Sequence, residues 1–304
     1  MVKVSQVKIY DCTTFYDENF ILDLRFNVLD KYVDKFVITE SAYSHSGNKK
    51  KFNFDISKFK KFEKKIIYIK IENEPQNILY NIKNGIKTED EKNIRQNSIN
   101  RISYQRNMLY KGLIDAKDDD LILYSDNDEI PNLENFNKYN VKNEIFHFNQ
   151  KLFYYKLNLF CNRYEWFGTK GCKKKNLLNF DWLRNIKPKK YSFYRLDTFF
   201  SKTKHRNTVI ISDGGWHFTQ LKIPSKIYEK FNNDEEHYQY KKAGIKLSDI
   251  EDYVKRKVII YDHKAKSSDF KFDKEFRLIT VGIDEMPIYV KKNQALYKDW
   301  LVYE

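Results

Sequence analysis

The sequence predicts an α/β protein built on a mostly parallel, Rossmann-like sheet flanked by helices, and three observations lead there. Strand-like apolar runs alternate with helical segments through the first half. The run Leu121-Ile122-Leu123-Tyr124 is apolar at every position, as a strand covered on both faces must be. It ends in Ser125-Asp126-Asn127-Asp128-Glu129, three carboxylates within four residues, before Pro131 stops the element.

Each element has its own signal. Val7 to Tyr10 is expected as a short first strand. Ile21, Leu24, Val28 and Tyr32 fall on one helical face, and Phe36-Val37-Ile38-Thr39 follows as a second strand. Ile66 to Ile71 makes a third. A long helix from about Glu89 to Gly112 precedes the Asp-tipped strand. Further on, Phe146 to Phe160, Tyr191 to Phe200 and Thr208 to Ile211 have strand composition, and helical patterns return from Leu247. No repeat, low-complexity linker or Pro/Gly boundary divides the chain. The expectation is one domain over residues 1–304, with a nucleotide-binding half to about 135, an acceptor-side half from about 136 to 245 and a helical C-terminal segment from about 246.

A net charge of +14 would ordinarily suggest nucleic acid. Here the lysines are scattered among Asn, Ile, Tyr and Phe, whose codons are rich in A and T, and no arginine-rich block or nucleic-acid module is present. Nucleic acid is therefore an unfavoured partner. Three cysteines, Cys12, Cys161 and Cys172, are odd in number and lack metal-ligand spacing, which fits reduced thiols. The N-terminus lacks the apolar stretch of a signal peptide, and no run is long enough to span a bilayer. The expectation is a soluble, cytoplasmic chain.

The chemistry concentrates at a few places. Ligands of open α/β sheets bind beyond the carboxyl ends of the strands, where Asp126 and Asp128 fall. Two aspartates one residue apart can share a hard divalent cation that also holds substrate phosphates; the plainer reading is a solvated acidic turn. Arg106 lies on the buried stripe of Ile102, Leu109 and Leu113, flanked by Gln105 and Asn107. A guanidinium there needs a carboxylate or phosphate, and spacing favours an internal salt bridge, with Asp126 itself a candidate partner. The loop Glu40 to Lys50 is rich in small residues and could approach a ribose or diphosphate. Asp213-Gly214-Gly215-Trp216-His217-Phe218 pairs two glycines, which permit close backbone approach, with an indole and a metal-capable imidazole.

Taken in order, these segments resemble glycosyltransferase family 17, the β-1,4-N-acetylglucosaminyltransferase family. The resemblance runs from Tyr10-Asp11-Cys12 and the helix Glu18 to Leu29 through Phe36 to Ser41, Gly47 and Lys50. It continues through Gln105-Arg106-Asn107 and Ser125 to Pro131. Phe153-Tyr154-Tyr155, Asn158, Trp166, Gly168, Leu183-Arg184, Gly215-Trp216-His217-Phe218 and Met286-Pro287-Ile288-Tyr289 follow. Departures include Asn127 where the family usually has an apolar residue, Ser44 and Ser46 for threonines, Lys49 and Lys51 for prolines, and Asn233 near a position where many bacterial members have histidine.

The resemblance implies a GT-A fold, a nucleotide-sugar donor (UDP-GlcNAc), a glycan acceptor, inversion at the anomeric carbon, and a divalent metal, Mn²⁺ before Mg²⁺. The donor would meet Asp11, Thr13, Glu40, Ser41, Lys50, Gln105, Arg106, Asn107 and Asp126. The metal would meet Asp126, Asp128 and His217, with Asp128 as the best direct ligand. Trp166 and Trp216 would serve sugar or acceptor. Inversion also needs a carboxylate to take the acceptor's proton, and Asp213, Glu165, Glu129 and Glu235 are unranked candidates. Three alternatives stand beside this. One is a HAD-like phosphotransferase using Asp126 and Asp128. The second is a basic nucleic-acid-binding protein, and the third a transferase fold turned sugar-binding module.

Overall fold

The computed structural model describes residues 7–80, 88–134, 136, 137, 142, 144–192, 194–265 and 269–303. The first half alternates as its pattern requires: β1 (Ile9–Phe15), α1 (Asn19–Leu29), β2 (Lys35–Ser41), β3 (Ile66–Ile71), α2 (Thr88–Met108) and β4 (Leu121–Ser125). Then come β5 (Glu129–Pro131), β6 (Ile145–Tyr154), β7 (Leu159–Phe160), β8 (Trp166–Lys173), α3 (Phe180–Asn185), α4 (Asp197–Phe200), β9 (Thr208–Ile211) and β10 (Gly215–Thr219). The remainder holds α5 (Pro224–Phe231), α6 (His237–Ala243), α7 (Leu247–Arg256), the ribbon of β11 (Val258–Ile259) and β12 (Phe276–Arg277), then β13 (Ile279–Thr280) and α8 (Ile288–Lys292).

Eleven strands form one sheet with the path β13-β7-β6-β8-β4-β1-β2-β3. The β3-β2-β1-β4 block is parallel throughout. Antiparallel β8 joins β4 to β6, and β6 also carries β9 and β10 in parallel. The chain passes β2 and β3 on one side of β1 and returns to β4 on the other, so the strand order reverses between β1 and β4. A crevice opens at such a reversal.

Alternate side chains of the parallel strands enter two cores. Leu121, Leu123, Phe36, Ile38 and Ile9 pack under Leu22, Phe26 and Leu29 of α1. Ile122, Tyr124, Val37 and Tyr10 pack against Leu109, Leu113, Phe180 and Leu183. All five residues of β4 are buried, which is why its sequence shows no alternation.

Several expected boundaries shift. β1 runs on to Phe15, carrying Asp11 and Thr13 into the sheet. The long helix gives way at Met108 to a 3₁₀ turn over Leu109–Leu113. The expected Phe146–Phe160 strand is broken at Tyr155, whose φ is +62°, into β6 and β7. The expected strand over Tyr191 to Phe200 is not found among the described residues: α4 ends it, and Leu196, Phe199 and Phe200 stay in solvent. Aromatic content there mimicked strand propensity without a sheet face to bury it. Among the described residues no helix is long and apolar enough to cross a membrane.

Candidate functional site

Asp126, Asn127 and Asp128 leave the carboxyl end of β4 and line a cavity of about 780 Å³. The loop after β1 (Thr14, Phe15, Tyr16), the tip of the β2 loop (His45), and Gln105 and Arg106 of α2 reach the same cavity. Later segments complete the lining with Trp166, Arg184, His217, Lys230, Glu235, Tyr261 and His263.

Asp126 is clamped. Arg184 forks onto its Oδ2 at 2.7 and 3.1 Å, while Tyr124 donates to Oδ1 at 2.7 Å and Arg106 reaches that oxygen at 3.4 Å. Burial would raise this carboxyl, but Arg184 and Arg106 outweigh it and hold the group well below the usual carboxylate range. The internal salt bridge expected for Arg106 is therefore present, with Asp181 as a second partner at 3.3 Å.

Asp128 faces the other way. His217 Nε2 stands 3.4 Å from its Oδ1 and Lys230 Nζ 3.6 Å from its Oδ2. Burial again opposes ionisation, and His217 and then Lys230 overcome it. Burial would depress Lys230, yet Asp128 and Glu18 push its ammonium upward. His217 Nδ1 is buried and has no hydrogen-bond partner among the described residues. Its ring lies against Trp166, centroids 4.4 Å apart.

The backbone explains how His217 arrives. β10 pairs antiparallel with β5, His217 opposite Glu129, and parallel with β6. The Phe218 amide donates to the Asp128 carbonyl at 2.7 Å. Close contact needs Gly215, whose φ is +117° and where a Cβ would stand 2.2 Å from the Ile130 carbonyl oxygen.

Other expected residues lie elsewhere. Asp11 is buried against Arg25, which grips it at 2.5 and 2.7 Å and also donates to the Glu129 carbonyl. Thr13 is buried in β1. Glu40 accepts from Lys50, the amides of Asn53 and Phe54, and the Tyr68 hydroxyl, so it braces its own loop. The Ser41 hydroxyl accepts the Tyr43 amide, and Asn107 caps α3 through the Asp181 amide. None of these lines the cavity, whereas Gln105 lines it while bonding the carbonyls of Phe15 and Thr39.

Trp216 points from β10 into the core and donates to the Glu285 carbonyl, on the strand face opposite His217. Among the base candidates, Glu129 is fully buried and already engaged by Trp166, Arg184 and the Asp126 amide. Asp213 and Glu165 are exposed and outside the cavity lining. Glu235 lines it, with Arg95 at 2.6 Å, and burial raises its carboxyl. Sequence reasoning did not assign Arg184, Tyr124, Lys230 or His263 to the site. Among the described residues no group of three or more His, Cys, Asp and Glu side chains is close enough to hold a metal alone.

The family model for glycosyltransferase family 17 matches residues 1–222. The chain belongs to glycosyltransferase family 17. Membership makes it a glycosyltransferase, acting between a sugar donor and an acceptor. The matched region of this family 17 chain contains the acidic turn, Arg184 and His217. Lys230, Glu235, Tyr261 and His263 follow it in the sequence. No curated protein matches the chain at a significant level. Among solved structures it is similar to HddC from Yersinia pseudotuberculosis, with 12% identity, TM-score 0.34, and 74% of this chain and 97% of that one covered. It is likewise similar to that protein complexed with GMP-PN, with 10% identity, TM-score 0.32 and the same coverage. A likeness this low fixes neither fold nor ligand.

Proposed function

We propose that this family 17 protein, with a GT-A arrangement of its sheet and crevice, transfers N-acetylglucosamine from UDP-N-acetylglucosamine to a glycan hydroxyl with inversion. The observation that carries the reading is the Asp126–Asp128 turn at the carboxyl edge of β4, faced by Arg184, Arg106, Lys230 and His217 across one cavity. Three permanent cations around two carboxylates suit a diphosphate. The choice of GlcNAc rests on the family resemblance.

A divalent cation, Mn²⁺ or Mg²⁺, fits the donor set. Two ligands each about 2.1 Å from a shared ion at roughly right angles stand about 3 Å apart. Asp128 Oδ1 and His217 Nε2 are 3.4 Å apart, long for a strong hydrogen bond and close to that spacing. Asp128 and His217 would hold the cation, substrate phosphates filling other positions, while Asp126 stays with its arginines beside the ribose or a metal-bound water. When bound, the cation offsets charge on the departing diphosphate.

The acceptor oxygen bonds to the anomeric carbon as the bond to the diphosphate breaks, its electron pair remaining on phosphate. Lys230, together with the two arginines held on Asp126, lines the cavity and supplies positive field for that charge. Glu235, the base candidate within the cavity, takes the hydroxyl proton, its raised carboxyl pKa suiting the task. A phosphotransferase using Asp126 as nucleophile gains no support, because both its oxygens are already bonded. The test is calorimetry of UDP with and without Mn²⁺, on the native chain and Asp128→Ala. Metal-dependent binding lost in the variant is expected. Equal affinity in all four titrations would reject the metal bridge.

A further inference from the structure

A second concavity, of about 1150 Å³, lies beyond α3, and Asn185 lines both it and the donor cavity. It is bordered by the excursion from 187 to 206, which carries seven lysines and arginines against one carboxylate, Asp197. Arg195 and Lys204 already share that carboxylate. Lys187, Lys189, Lys190 and Lys202 are exposed.

Large apolar side chains stand in water here: Phe200 (90% exposed), Leu178 (71%) and Phe199 (68%) line the concavity, and Leu196 (69%) lies one turn before Phe200 at the start of α4. Single exposed hydrophobics are ordinary, but a cluster of four is not. Arg206 lies over the Phe199 ring at 4.1 Å and donates to Thr198 Oγ1 and the Arg195 carbonyl, which fixes the segment's outward presentation.

We propose that this face docks on an anionic lipid bilayer, Phe199, Phe200, Leu196 and Leu178 entering the interface while the lysines meet headgroup phosphates. Aromatic and aliphatic tips among lysines are the pattern of surface-lying membrane elements. The aliphatic Leu178 and Leu196 have no counterpart in a nucleic-acid site, which uses stacking rings and cations. A second copy is disfavoured because two such faces would bring together like charge. The proposal does not depend on the donor assignment, and a docked bilayer would lie beside the donor cavity.

The test is co-sedimentation of the full chain with vesicles of phosphatidylcholine alone or with about a third phosphatidylglycerol, at low and high salt. Expected is binding to the anionic vesicles only, weakened by salt. Lys187→Ala with Lys202→Ala should reduce it about twenty-fivefold, roughly fivefold per lysine, and Phe199→Ser with Phe200→Ser about tenfold or more. All four side chains are at the surface, so melting temperature and UDP binding should be unchanged and serve as the folding control. Three results would each overturn the proposal: no binding to any vesicle; binding indifferent to the phenylalanine pair; or capture of a single-stranded oligonucleotide, or self-association, through these residues while vesicles are ignored.

Discussion

Asp11 and Arg25 form a fully buried ion pair, with 1% and 0% of their side chains exposed. Replacing Asp11 with Ala leaves a guanidinium inside the core with the Glu129 carbonyl as its one remaining partner among the described residues. Breaking such a pair from one side costs about 3–5 kcal/mol, a large share of the roughly 5–15 kcal/mol that holds a domain folded. At about 2–4 °C per kcal/mol for chains of this size, the melting temperature should fall by about 6–20 °C. Asp11→Asn keeps the shape and one acceptor oxygen and belongs at the low end. Removing both charges together, Asp11→Asn with Arg25→Met, should recover much of the loss, because the stranded charge is what costs most. Thermal melts of the three variants, with UDP calorimetry well below their midpoints, separate the roles. The folded fraction should bind UDP as the native chain does. An Asp11→Asn variant that melts within about 1 °C of native yet loses UDP affinity would refute this placement and make Asp11 a donor contact.

Glu235→Gln should lower kcat by at least about a hundredfold, the usual contribution of a positioned base, while UDP affinity holds; unchanged kcat would remove Glu235 from the chemistry. Gly215→Ala should lower the melting temperature and weaken UDP binding together, since φ +117° and a 2.2 Å clash force β10 away from β5. Native affinity in that variant would show that the strand pairing is not needed. His147 is fully buried, and burial, then Lys170 and His205, depress its pKa from 6.5 to about 3. Because the folded pKa lies below the unfolded one, its contribution is complete above about pH 6.5 and is lost as the pH falls toward 3. His147→Phe should therefore lose less stability than native in urea melts taken from pH 7 to 4, and parallel curves would refute this.

What was legible in the sequence is what local pattern encodes. The strand before Asp126 showed itself because a doubly covered strand has no polar position, and Arg106 because it interrupts an apolar stripe. Arg184 and Lys230 sit on short helices, six and eight residues long, where periodicity has too few turns to single out a position. Their roles arise from contacts of 58 and 102 residues' separation, which no local window contains. Asp11 was expected as a donor contact from the family resemblance alone, and Glu40 from that resemblance and its small-residue loop; here each meets an internal partner, Arg25 or Lys50. Trp216 and His217 illustrate the period-two rule: adjacent on β10, they face opposite sides, and only the imidazole reaches the cavity.

The pairing of β10 with both β5 and β6 also sets a timetable for synthesis. The parallel block β3-β2-β1-β4 is complete once residue 125 has been made, and the acidic turn follows at once. His217 and the Phe218 amide that anchors the Asp128 carbonyl are still unmade. At roughly 5–20 residues per second, a ribosome needs on the order of 5–20 s more to supply them. Until then, a nascent chain carries a sheet and an unpaired β5 edge but no assembled cavity, and that edge is a place where another chain's strand could add. Nascent chains arrested near residue 200 should thus be more prone to aggregation than those arrested after β10 has emerged.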